Sequence, residues 1–443
     1  MTAPATRAIP APGAPRPQKL PTVAERVLDN GLRVLAVRRP GVPLVELRLR
    51  IPFAGKGAAH TARGQLLGDT LLSGTDRRSA ERLAADLQGL GGSLSASVDA
   101  DRLSIGGSAL SASLGGLLDL LAEVLTSAAY PKDEVAGERD RLVQELAIYR
   151  SQPGVIAREA LLSRLYGDHP YGRELPTADD VAAVKAGQLR SLHGKRVAPA
   201  GSVLVLVGDL SPARALGLVE GAMAGWTAAG SAVLTPPVPA VVPGPAVLVD
   251  RPGAVQTSIR LAGPAPVRTH PDHAALTLAN LVLGGYFSSR WVANIREDKG
   301  YTYSPHSGVE HPPGGSRLTL ATDVATDVTA PALVETLYEL GRIATLPVTQ
   351  AELDQARRYA TGTLALSTAS QAGLASTLSA LTAAGLGLDW LREHPRAMAG
   401  VTVDAALEAA ATYLAPERLV TVLVGDAAVV ADPVARVLPL ERG

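Results

Sequence analysis

VLVLVGD (203–209) and VTVLVGD (420–426) are nearly the same phrase written twice, 217 residues apart. Each is an apolar, β-rich run that stops at Gly-Asp, as a strand entering a turn does. Each follows an Ala-Pro pair, Ala198-Pro199 and Ala415-Pro416. A second echo keeps a similar spacing. Leu71–Gly74 closes a predicted helix in the first half, and Leu281–Gly284 closes one in the second, 210 residues on. Both helices follow alternating, strand-like segments, VELRLRI (45–51) and QTSIRLA (256–262). The chain therefore reads as two copies of one unit, each of roughly 210 residues, within the ordinary size of a domain.

The expected organisation is a disordered lead-in over 1–21, a domain over 22–228, an extended Pro-rich linker over 229–246 and a second domain over 247–443. In the first copy SLSASVDADRLSIGGSA (93–109) reads as a hairpin, and helices are expected near 114–128, 133–151 and 155–166. Strands and helices are grouped more than they alternate. That grouping favours an α+β fold, each copy a mainly antiparallel sheet with helices packed on it.

Composition removes several function classes. Lys+Arg and Asp+Glu both number 42, so no net charge draws the chain to nucleic acid or an anionic membrane. There is no cysteine, hence no disulfide, thiolate metal site or thiol nucleophile. The Pro/Ala-rich start, MTAPATRAIPAPGAPRPQKLP, lacks the apolar run of a secretory signal. No segment has the roughly 18 uninterrupted apolar residues of a membrane span. A cytoplasmic location is the default expectation.

Three clusters bear chemistry. GQLLGDTLLSGT (64–75) reads as an amphipathic helix ended by Gly74. Its Gln65, Gly68 and Asp69 lie at i, i+3 and i+4, the spacing a helical metal site uses. Taken alone, this stripe is either a solvated face or an emptied metal site. Glu138 and Glu145, seven apart on the predicted helix 133–151, share one face. His270 and His273 straddle a helix start in THPDHAAL, where sharing a metal competes with plain capping by Pro271 and Asp272. His169 sits in a turn-rich loop that it is expected to anchor, and His306 and His311 flank a predicted strand without an acid at ligand spacing.

The third cluster is GGYFSSRWVANIREDKGYTYSPHSGVE (284–310). It predicts a helix over 289–298, a Lys299-Gly300 turn and an alternating strand over 301–309. Such a corner brings Arg296 and Tyr303 side by side. A guanidinium and a phenol there offer converging donors to an oxygen that develops negative charge, such as a peptide carbonyl under attack. A surface Arg beside a half-buried Tyr fits the same residues.

LDNGLRV (28–34), LLSGT (71–75), LGGSLSASVDAD (90–101), ERDRLVQELAIYRSQP (138–153), LYGDHPYG (165–172), LVGD (206–209) and LGGYFSSRWVANIREDKGYTYS (283–304) follow one another in order. Over about residues 22–430 the chain resembles the pitrilysin/insulinase family of inverted zincins, in its processing-peptidase-like branch. Active members carry H-x-x-E-H, two zinc-binding histidines around a general base, and a third ligand Glu further on. The resemblance places the ligand histidines on Gln65 and Asp69, the base on Gly68, the later ligand on Glu145 and a supporting acid on Glu138. Two of three ligands and the base have changed, so it implies a degenerate site without zinc. Gln65 offers a neutral amide, and Asp69 with Glu145 forms at most a hard-oxygen site suited to magnesium or calcium.

The family's second element, an Arg and a Tyr that bind the substrate carbonyl, falls on Arg296 and Tyr303. Tyr301 stands where the family usually has Leu. In heterodimeric members one subunit brings the zinc motif and the other the Arg/Tyr pair, closed face to face around an extended peptide. The resemblance thus implies a non-catalytic, substrate-binding subunit with no cofactor of its own. Its partner would be a homologous H-x-x-E-H zinc peptidase, and its substrate an unfolded peptide such as a leader peptide. Two rivals are a non-proteolytic scaffold of the same fold and a metal-dependent enzyme using Asp69, Glu138 and Glu145.

Overall fold

In this computed structural model, residues 20–227 and 233–443 are described; most of the lead-in and the first part of the linker lie outside the described residues. Strands form from two kinds of segment, alternating ones such as 44–52 and 102–110 with one face in a core and continuous apolar runs such as 203–208 and 420–425. They are β1 (Thr22–Val27), β2 (Arg33–Arg38), β3 (Leu44–Pro52), β4 (Ser93–Val98), β5 (Arg102–Leu110) and β6 (Val203–Gly208) in the first repeat. The second repeat has β7 (Ala246–Asp250), β8 (Gln256–Ala265), β9 (His306–Glu310), β10 (Ser316–Ala325), β11 (Val420–Gly425) and β12 (Leu440–Arg442).

The sheet orders are β1-β2-β6-β3-β5-β4 and β12-β7-β11-β8-β10-β9. The run β2-β6-β3-β5-β4 matches β7-β11-β8-β10-β9, which bears out the duplication and the mainly antiparallel α+β fold. Among the named strands the parallel pairs are β2–β6, β7–β11 and β7–β12. The sixth strand differs: β1 comes from the start of its repeat, β12 from the end.

The repeated Gly of the opening phrase has a packing cause. A Cβ on Gly208 would lie 2.2 Å from the Leu44 carbonyl oxygen, and one on Gly425 would lie 2.5 Å from Thr257 Oγ1. Gly208 lets the β3 backbone pass close by, and Gly425 makes room for the Thr257 side chain of β8.

The inner face of the first sheet packs its alternating residues Val45, Leu47, Leu49 and Ile51 against helices of its own repeat. The other face is covered from the second repeat. Leu374, Leu378 and Leu381 of the helix Gln371–Ala383 pack on Leu35, Val37, Val205 and Val207. In exchange Leu161, Leu162 and Leu165 of the helix Pro153–Tyr166 pack on Ala262, Val420 and Val422 of the second sheet. This reciprocal cover explains why β2, β6 and β11 are continuous apolar runs: they are buried on both faces.

A polar clasp completes the junction. Tyr171 donates its hydroxyl hydrogen to Asp101 at 2.6 Å and accepts the Gly314 N–H at 2.8 Å. Thr235, from the linker, donates to the same carboxylate. His169 bonds the Pro236 carbonyl at 3.0 Å and accepts the Tyr171 N–H, so it anchors its loop as expected. The described part of the linker is extended, but it is not outside the cores. Val238 and Val241 pack against the cluster under the helix Pro153–Tyr166.

The expected hairpin 93–109 and the three following helices are present, at Leu114–Ser127, Lys132–Tyr149 and Pro153–Tyr166. Two boundaries move. The helix through GQLLGDTLLSGT runs over Ala58–Thr70, and Leu71–Gly74 is a turn in which Gly74 takes a φ of 114°. The strand expected over 301–309 starts only at His306, paired with Ala321. Pro305 has no N–H for a ladder, and Tyr301 spends its own on the Ile295 carbonyl at 2.9 Å. Among the described residues no helix is long and apolar enough to cross a membrane.

Candidate functional site

The helix Ala58–Thr70 carries Gln65, Gly68 and Asp69, and the helix Lys132–Tyr149 carries Glu138 and Glu145. The structure brings the three acids to one place, with Arg141 among them. Its guanidinium donates to Glu138 and Glu145, three residues before and four after it. Arg141 was not singled out from the sequence, although its spacing from both acids is legible there. It supplies the positive charge that a cation would bring.

Asp69 keeps an exposed edge, but its carboxyl is pushed up to about 6. Desolvation is the main cause; Glu138 and Glu145 add repulsion and Arg141 pulls it back. A folded-state value above the ordinary 3.8 means that the native chain holds this proton more tightly than the unfolded chain does. The stability it gives is present in acid and is lost as pH rises through 3.8 to about 6. Asp69→Asn is therefore expected to stabilise the protein by about 1 kcal/mol at pH 7.5, after discounting for solvent screening, and by nothing below pH ~4. Urea midpoints at the two pH values measure it, and an equal shift at both would refute the assignment.

Gly68 and Gly64 sit one turn apart and let β4 settle onto the helix. A Cβ on Gly68 would lie 3.1 Å from Val98 Cγ2 and 3.2 Å from the Val98 backbone nitrogen; one on Gly64 would lie 3.2 Å from Val98 Cγ1. The place of the general base is thus closed by an edge strand. Gly68→Glu, which restores the acid, has to lift β4 and should cost about 2 kcal/mol despite the better helix propensity of Glu. Thermal melting checks this; a variant as stable as the parent would show that β4 yields freely. Gln65 faces a small cleft of about 40 Å³ shared with His60 and Arg173.

The second cluster is built on interrupted helices. After Ser289 the chain makes a short α-turn, Arg290–Val292, and a π-turn, Ala293–Asp298. Single π-turns recur at functional sites because they re-aim one side chain. The segment is pinned from beneath. Trp291 is buried and donates to Thr336 Oγ1 at 3.1 Å. Arg290 forks onto Glu352 at 2.7 and 2.8 Å, and Asn294 donates to Glu335 and Glu339 at 3.0 Å each. Gly300, with a φ of 65°, turns the chain back.

Arg296 then lies between two rings, its guanidinium carbon 4.4 Å from the Phe287 centroid and 4.7 Å from that of Tyr303. Tyr303 is 80% exposed and Phe287 60%. An ion pair from Nε to Glu297, 3.1 Å, is the one polar contact of this guanidinium among the described residues. The Tyr303 hydroxyl has no hydrogen bond among them. Phe287 is a third member that sequence reasoning passed over; an aromatic next to the Gly-Gly turn was its only signal. No hydrogen bond, ion pair or ring contact among the described residues joins this cluster to the one on Gln65, Gly68 and Asp69.

Of the two readings of THPDHAAL, the helix start is the one present, at His273 with Asp272 as the preceding cap residue. His270 stays exposed and accepts the Asp272 N–H through Nδ1. His273 is buried and meets His311 and His394 instead, at ring-centroid distances of 4.9 and 5.0 Å. His270 lies before the helix His273–Asn280 and faces outward while His273 turns inward, so the two imidazoles do not converge. His306 is exposed at the start of β9. Among the described residues no group of three or more His, Cys, Asp or Glu is placed to hold a metal ion.

Two family models match the chain: insulinase, peptidase family M16, over residues 55–179, and the peptidase M16 inactive domain over 183–359. The chain belongs to the M16 peptidase family. An uncharacterized zinc protease of Mycobacterium leprae is 28% identical over 293 residues, 65% of this chain and 66% of that protein. One from Mycobacterium tuberculosis is 26% identical over 344 residues, 76% of this chain and 78% of that protein. Among solved structures, a peptidase M16 inactive domain from Pseudomonas fluorescens superposes with a TM-score of 0.83 at 26% identity, covering 91% of this chain and 98% of that one. A protease from Helicobacter pylori gives 0.84 at 19% identity, covering 92% and 100%, a likeness of fold. The zinc implied by such names does not fit here. An M16 zinc centre needs imidazoles and a base. Here those positions hold an amide, a glycine under Val98 and an acid already facing Arg141.

Proposed function

We propose that this chain is the substrate-binding, non-catalytic subunit of a heterodimeric zinc metallopeptidase that cleaves unstructured peptides. The observation that carries the reading is the asymmetry within one chain. The zinc-motif positions are filled by packing and by an internal cation, while Arg296 and Tyr303 stand ready with unused donors at the surface. The partner, a homologous H-x-x-E-H subunit, supplies zinc and base. Arg296 and Tyr303 reach the scissile carbonyl across the interface. They strengthen their hold as negative charge develops on its oxygen, which is how a positioned donor lowers a barrier. Aromatic stacking on both sides fixes the guanidinium plane and leaves its edge free for a carbonyl.

The test is activity by mixing. This chain and an H-x-x-E-H homologue should each leave an unfolded peptide intact, and the pair should cleave it. Cleavage by this chain alone, with metal supplied, would refute the reading. An inactive pair that still binds peptide would point to the scaffold alternative.

A further inference from the structure

A cavity of about 730 Å³ lies at the junction of the two repeats. The β4–β5 hairpin, the β9–β10 hairpin, the loop at Val267–Thr269 and the end of the helix Gln371–Ala383 line it. Its charges do not balance. Asp99, Asp101, Glu174 and Glu310 face it, and all four are engaged. Asp99 pairs with Arg102 at 2.8 Å, and Asp101 accepts from Tyr171 and Thr235. Glu174 and Glu310 are both held by Arg158 and Arg317.

Five guanidinium groups, those of Arg50, Arg102, Arg158, Arg268 and Arg317, face these four carboxylates; Arg50 is drawn to Asp99 and Asp101, and Arg268 is left over. Among the described residues the guanidinium of Arg268 makes no hydrogen bond and no ion pair. Arg268 rests on the Trp390 ring at 5.5 Å, which leaves its N–H edge free. Its other neighbours are imidazoles. His311 lines the cavity and spends Nδ1 on Ser316 Oγ at 2.7 Å; His394 stacks on Trp390 at 4.3 Å. Burial, aided by the charge of Arg268, pushes His273 and His311 down to about 3 and His394 to about 4. Desolvation also lowers Arg268, and with repulsion from Arg102 it brings Arg50 to about 10. Arg50 has Asp99 and Asp101 as counter-charges, but the Arg268 guanidinium is drawn from water without one, which is costly, and a bound anion removes that cost.

We propose that Arg268 and His311 form an anion subsite that takes a carboxylate of a bound peptide. The planar guanidinium edge matches a carboxylate in a bidentate fork. Val98, Val267, Pro313, Ala380 and Ala383 give the cavity the apolar wall that a peptide's own side chains need. The carboxylate comes from a peptide C-terminus or from an Asp or Glu side chain. The subsite belongs to this chain alone and does not depend on Arg296 or on a second subunit.

The experiment is calorimetric titration of the full chain with three N-acetylated peptides of small apolar residues. One ends in a free carboxylate, one in an amide, and one in an amide with an internal Glu. At least one carboxylate peptide should bind, and the plain amide should bind about tenfold more weakly or worse. Binding of only the first assigns the site to a terminus; binding of the third assigns it to a side chain. Arg268→Gln should weaken the interaction by a similar factor. Arg268→Lys, which keeps the charge and loses the fork, should weaken it several-fold with the melting midpoint unchanged. Equal binding of the plain amide, unchanged affinity in both Arg268 variants, or binding of inorganic phosphate without any peptide would overturn the proposal.

Discussion

Replacing Arg296 by Ala is expected to cut kcat/KM of the mixed, active complex by about 100- to 1,000-fold, the usual cost of one donor to a developing oxyanion. The fold should survive, because the side chain packs only between Phe287 and Tyr303, both largely exposed. Tyr303→Phe removes one hydroxyl and keeps the stacking surface. Its cost should be nearer tenfold, the worth of one neutral hydrogen bond. Arg296→Lys keeps the charge but loses the planar fork and part of the stacking, so it should stay closer to Ala than to the parent. Phe287→Ala frees one side of the guanidinium and should raise KM more than it lowers kcat. Full activity of the pair with both Arg296→Ala and Tyr303→Phe would remove the assigned role and leave a scaffold.

Leu378→Ala is expected to destabilise the protein by about 3 kcal/mol, a typical cost for deleting a buried Leu. Leu378 is fully buried, and its partners Val205 and Val207 belong to the other repeat. The loss should therefore be felt on the far side of the linker. Trp226 lies in the first core and Trp291 in the second, and each reports on its own core once Trp390, which packs in the shared cluster with Leu378, is replaced by Phe in every variant compared. In the parent, reciprocal cover by the exchanged helices should make both unfold together in urea. In Leu378→Ala the Trp226 transition should move to lower urea although the substitution lies in the second repeat. A shift confined to Trp291 would show that the exchanged helix does not couple the two cores.

Much of the candidate site was legible because its spacing is short-range. The stripe of Gln65, Gly68 and Asp69 and the acids Glu138 and Glu145 follow helical periodicity, and the helices do present them together. The corner of Arg296 and Tyr303 rests on a Gly turn seven residues long, which local chain geometry nearly fixes. What escaped were partners whose role appears only when side chains are seated. Arg141 neutralises the acids, Phe287 sandwiches Arg296, and Val98 closes over Gly68. His273, His311 and His394 lie on three separate elements, and no periodicity relates them.

The sequence by itself determined the duplication, the α+β class and the strands that had to be deeply buried. Burial on one or two faces is written into the pattern of apolar residues, and VLVLVGD and VTVLVGD are apolar on both. Only the tertiary structure decided what covers them. Each outer face could have been closed by a helix of its own repeat, since apolar packing is non-directional and area alone sets its strength. The exchange of Pro153–Tyr166 for Gln371–Ala383 is a matter of shape and chain path. It also places the two hairpins and the unpaired Arg268 around one cavity, which no stretch of sequence announces.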